Sequence, residues 1–80
     1  KLEKVREMFP FDLGQIVYDI QLKDDKGRYT KTNPSREYST VSEVVVDEKN
    51  YFSLVERAKR EDVFTDYEEA VFYLDLLCMQ

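Results

Sequence analysis

Cys78 is the single cysteine of this 80-residue sequence, a candidate nucleophile, and no histidine is present to activate it. It falls on a helical apolar stripe near the end of the chain, the ordinary place of a buried structural thiol. Asp24 and Asp25 offer carboxylates for a hard cation, but the alternating oxygen ligands and distal glutamate of a calcium loop do not follow them. Beside Lys26-Gly27 they read as a solvated turn. Glu68 and Glu69 form a carboxylate pair that helix capping and the helix dipole explain without acid–base chemistry. No Gly-rich phosphate cradle occurs. These residues predict a protein that is not an enzyme and holds no cofactor or metal.

Two charged constellations are left, and both suit binding. Residues 23–36 carry Lys23, Lys26, Arg28, Lys31 and Arg36 against Asp24 and Asp25, a local charge of +3, with Tyr29 among them. A basic loop with an exposed aromatic can grip phosphates and stack a base. Residues 61–80 carry Glu61, Asp62, Asp66, Glu68, Glu69 and Asp75 with no Lys or Arg. A field of that sign speeds encounter with a basic partner. The net charge of −5 and pI of about 4.7 disfavour a general nucleic-acid or anionic-membrane binder.

The elements that must position these groups fit one small domain. Leu2, Val5 and Met8 recur at three-residue spacing before Pro10, which predicts a short helix or arm over residues 1–10. Residues 11–80 then form a single α+β domain. In GQIVYDIQLK, Ile16, Tyr18, Ile20 and Leu22 alternate with Asp19, Gln21 and Lys23, the pattern of a half-buried antiparallel strand. YSTVSEVVVD reads as a second strand, its valine run Val44–Val46 implying burial on both faces or a bulge. YFSLVERAKR follows a turn at residues 47–50 and starts with two aromatics. Asn50 could cap a helix there, but a third strand is favoured. Residues 61–64 offer at best a short fourth strand.

Thr65-Asp66-Tyr67-Glu68 reads as a capping box that opens a final helix. On that helix Tyr67, Ala70, Val71, Leu74, Leu77 and Cys78 make one stripe, expected to face the sheet. Phe72, Leu76 and Met79 make a second apolar row on the opposite side. No single small sheet covers both sides of one helix, so the second row predicts contact with the N-terminal arm, a second copy of the chain or a foreign partner.

In order, these pieces resemble short uncharacterised accessory proteins of Gram-positive bacteriophages and mobile elements. The likeness rests on Gly14-Gln15-Ile16-Val17-Tyr18-Asp19-Ile20, then Val41–Val46, then Val63-Phe64-Thr65-Asp66-Tyr67-Glu68-Glu69-Ala70. It implies a small curled sheet, SH3-like in outline, closed by a C-terminal helix. It also implies a role in binding or inhibiting a host or anti-phage defence protein. The acidic end would then place carboxylates where a nucleic acid would place phosphates.

The expected architecture is therefore an antiparallel sheet of three to four strands with the C-terminal helix packed on it. The expected function is a non-enzymatic protein-binding module using Phe72, Leu76, Met79 and the six acids. The alternatives are a nucleic-acid accessory using the 23–36 loop, or a structural subunit that dimerises through its helix. A single cysteine suits a reducing compartment, and neither a membrane span nor a signal-peptide pattern is visible, so a cytoplasmic location in a bacterial host is expected. The start at Lys1 rather than Met fits a fragment or a missing leader.

Overall fold

The computed structural model describes residues 11–79, and the expected arm of Leu2, Val5 and Met8 lies outside them. The elements run β1 (Ile16–Gln21), β2 (Thr40–Val45), α1 (Tyr51–Lys59), β3 (Val63–Phe64) and α2 (Tyr67–Cys78). The sheet is antiparallel and open, in the order β2-β1-β3, with α2 packed on it. The α+β architecture and the C-terminal helix are as the sequence indicates.

Alternation along β1 divides its side chains between two faces. Ile20 and the β3 residue Phe64 meet Ala70 and Leu74 of α2 on one of them. On the other, Val17 and Val63 pack with Phe11, Val46 and the α1 residues Leu54 and Ala58. The central strand is thus covered on both sides rather than half-buried. Asp19, expected on the polar face of a half-buried strand, is instead 5% exposed beneath α1. The valine run needs no bulge, because the β1–β2 register is continuous from Ile16↔Val45 to Gln21↔Thr40. Val46 is buried and Val44 packs beside it on the α1 side, whereas Val45 is exposed with its partner Ile16.

Residues 51–59 are a helix, not the third strand that was favoured. Tyr51, Leu54, Val55 and Ala58 stand at i, i+3, i+4 and i+7, and that stripe packs on the sheet. Just before it, the Asp47 amide donates to Asn50 Oδ1 and the Asn50 amide to Asp47 Oδ1, both at 2.8 Å. Asn50 Nδ2 also donates to Val45 O at 2.9 Å, tying the helix start to the end of β2. At the far end Glu61 N–H donates to Ala58 O and Asp62 N–H to Arg57 O, the bond pair of a Schellman motif. The left-handed position of that motif, normally glycine, is held by Glu61 at φ +62°.

The α2 cap also differs from expectation. Asp66, not Thr65, is the N-cap, and its Oδ2 accepts the Glu69 amide at 3.0 Å. Moving the start by one residue leaves Thr65 outside the helix with no capping bond. Asp66→Ala should therefore cost about 1 kcal/mol, while Thr65→Ala should cost only a few tenths. Parallel thermal melts of the two variants check this, and an equal fall in both would return the cap to Thr65.

Within α2, Ala70 and Leu74 are buried as expected, and Val71, Leu77 and Cys78 are half-buried. Tyr67 departs from the expected stripe. It is 52% exposed and lies edge-on to Tyr18, with ring centroids 5.4 Å apart. Tyr73 takes up the packing instead, its ring 5.4 Å from that of Phe64.

Candidate partner-binding surface

With the sheet holding Ala70 and Leu74, the helix turns Phe72, Leu76 and Met79 outward. They are 66%, 43% and 80% exposed. The row is therefore apolar surface that the described residues leave uncovered. One turn before Phe72, at i−4 and i−3, stand the exposed Glu68 and Glu69. The outer face of α2 thus grades from an acidic first turn to an apolar middle and end.

The other acids do not join that face as free charges. Asp66 is occupied as the N-cap. Asp75 accepts a 2.6 Å bond from Arg36 Nε, with both side chains about half exposed. Glu61 is hydrogen-bonded to Tyr73, and burial together with the Glu61 charge pushes the Tyr73 phenol above its ordinary value. Asp62 lies near the Asp19 carboxylate, at the start of β3. Among the six acids, only Glu68 and Glu69 stand next to the apolar row without a structural bond among the described residues.

The basic loop is likewise divided. Arg36 is drawn away to Asp75, and its Nη1 donates to Ser39 O at 3.3 Å. Arg28 pairs with Asp24 at 3.4 Å. Asp24 Oδ1 accepts the amides of Arg28 and Lys26, each at 2.9 Å, and those backbone bonds hold its carboxyl below the usual range. Asp24 is thus a turn-former. Lys23 sits 5.0 Å from the Tyr29 ring centroid, leaving Tyr29 72% exposed. Lys26 and Lys31 are exposed and have no ion pair among the described residues. Of the five cations, Arg28 and Arg36 are thus engaged in ion pairs within the fold.

Cys78 is partly buried against the cluster of Ile20, Phe64, Ala70 and Leu74. Among the described residues no cluster of His, Cys, Asp and Glu could hold a metal ion. No helix among them is long and apolar enough to cross a membrane.

Sequence reasoning passed over one charged pair altogether. Arg57 of α1 reaches across to Asp19 of β1, with Nη1 3.1 Å from Oδ2 and Nη2 2.5 Å from Oδ1, and Nη2 also donates to Ile20 O at 3.3 Å. Burial raises the Asp19 carboxyl, and the Arg57 charge and a bond from Gln21 pull it partly back. Had residues 51–59 been read as a helix, the apolar positions 54 and 58 would have placed Arg57 beside the sheet.

No protein-family model matches the chain, and no curated protein or solved structure matches it either.

Proposed function

We propose that this protein is a non-enzymatic binding module that docks the outer face of α2 into an apolar groove of a partner protein. The observation that carries the reading is the exposed row Phe72, Leu76 and Met79 on a helix whose opposite side is already buried. Anchors at i, i+4 and i+7 are the pattern by which an amphipathic helix fills a groove. Glu68 and Glu69 flank the row, so the matching groove carries cations at the end that receives the first turn of α2. A host or defence protein is the class of partner that the phage-like resemblance suggests. Nucleic acid is a weaker fit, because Arg28 and Arg36 of the basic loop are engaged within the fold.

The test compares the parent with Phe72→Lys, Glu68→Lys and Glu69→Lys. Solution mass is measured by light scattering, and capture from a bacterial host lysate is followed by reconstitution with the purified partner. The expected result is a partner lost on Phe72→Lys and weakened, with a smaller salt dependence, by either charge reversal. An associating species indifferent to Phe72→Lys would overturn the reading. Cys78→Ala should leave binding untouched while lowering stability by about 1 kcal/mol, as a small cavity does. Loss of function in a folded Cys78→Ala protein would reopen catalysis.

A further inference from the structure

We propose that a cleft at the end of the central strand binds a small organic anion carrying a flat ring, the chemistry of a nucleoside monophosphate. The site is separate from the outer row of α2 and does not depend on it.

The cleft arises because the line of chain beside β1 is broken. Ahead of β3, Asp62 O accepts the Ile20 amide at 2.9 Å, and further along Thr30 N–H donates to Leu22 O at 3.1 Å. Between these points the chain is interrupted, and the Arg57 guanidinium occupies part of the gap through its bond to Ile20 O. The cleft is open to solvent on one side and measures about 670 Å³. Small-molecule sites span roughly 300–1,000 Å³, so it suits one nucleotide-sized ligand.

The lining is mixed in the way such ligands require. Ile20 and Leu77 supply apolar wall, and Tyr29 and Tyr73 supply aromatic rings. Lys31, Arg57 and Arg60 face the single acid Asp62, on a chain whose net charge is −5. Arg57 is already oriented by Asp19, so its remaining N–H groups are set in place before a ligand arrives. Lys31 and Arg60 are exposed and belong to no ion pair among the described residues. Three cations against one carboxylate in the same lining fit a phosphate, which accepts several charge-assisted bonds at once. The Lys23 ammonium holds Tyr29 from one side, leaving that ring as a stacking platform at the rim.

The experiment titrates the 80-residue chain with adenosine monophosphate, inorganic phosphate and a single-stranded oligonucleotide, following backbone amide shifts by NMR. Adenosine monophosphate should bind saturably, moving the amides of residues 29–31 and 57–62. Inorganic phosphate should bind about tenfold more weakly, since it lacks the ring. Lys31→Ala and Arg60→Ala should each weaken adenosine monophosphate about tenfold, the loss of one charge-assisted bond. Both positions are exposed, so the fold should persist, and unchanged shifts elsewhere confirm it. Phe72→Lys should leave the affinity unaltered. Absence of a saturable shift, indifference to both cation substitutions, or tighter binding of the oligonucleotide than of the mononucleotide would each overturn the proposal.

Discussion

Arg57→Met is expected to destabilise the protein by about 3 kcal/mol at neutral pH, because it strands the Asp19 carboxylate beneath α1. The Asp19 side chain is 8% exposed and Arg57 is 34% exposed, so the two ends of the pair are not equivalent. Water can hydrate the arginine when its partner is lost, but it cannot reach the aspartate. Asp19→Asn should accordingly cost less, about 1 kcal/mol, with the amide retaining part of the hydrogen bonding.

Acidity separates this account from a simple loss of packing. Burial raises the Asp19 carboxyl above its ordinary value, against the pull of Arg57. A carboxyl with a higher pKa in the folded than in the unfolded state binds more protons when folded throughout the interval between the two values. Its contribution to stability therefore falls as pH rises through that interval. Above the folded value the cost of the buried charge is complete, and below the unfolded value, ~3.9 for aspartate, it is gone. Removing Arg57 pushes the carboxyl further up and widens the interval. The deficit of Arg57→Met relative to the parent should shrink as the pH is lowered from neutrality. Urea denaturation at several pH values checks this. Equal losses for Arg57→Met and Asp19→Asn, or a deficit that grows on acidification, would remove Asp19 from the account.

Leu74 and Leu76, two residues apart on one helix, should respond in opposite ways. Leu74 is 1% exposed among Ile20, Phe64 and Ala70, so Leu74→Ala should cost about 2–5 kcal/mol. The upper end of that loss reaches the lower end of the stability of folded proteins in general, roughly 5–15 kcal/mol. Leu76 is 43% exposed, and Leu76→Lys should change stability by no more than about 0.5 kcal/mol. Its effect should appear in association instead, as a weakening of about 30-fold or more, the scale of an interface hot spot. Denaturation curves and a partner titration, run on both variants, give the two readings. A large stability loss in Leu76→Lys with association intact would place Leu76 in a core and end the docking proposal.

Much of this molecule was legible from local pattern. Alternation in residues 16–22 and β-branched residues in 40–45 specify extended strands, because side chains there must serve two faces. The helical spacing of Ala70 and Leu74 specifies the side of α2 that is buried, and the same wheel exposes Phe72, Leu76 and Met79. The cap was read one residue early, since Thr65 and Asp66 offer equivalent oxygens and only backbone direction chooses between them. Residues 51–59 were misread for a related reason. Tyr51-Phe52 has strong strand propensity, and the helix ends on Glu61 rather than on the glycine that normally marks such a stop.

The helix at residues 51–59 has a long-range consequence that only the tertiary structure shows. Composition and periodicity by themselves determined a small acidic α+β domain without histidine and with a doubly apolar C-terminal helix. The packing of α1 against the second face of the sheet decided which charged groups meet there. It buried Asp19 and brought Arg57 to it from 38 positions away. The docking of α2 in turn joined the basic and acidic constellations through the bond between Arg36 and Asp75, 39 positions apart, and the fold set Lys31 and Arg60 at one cleft. Local sequence encodes backbone preference and the side of an element that avoids water. Which charged groups meet depends on how the elements stack, and stacking is selected by the fit of whole faces rather than by any short run of residues.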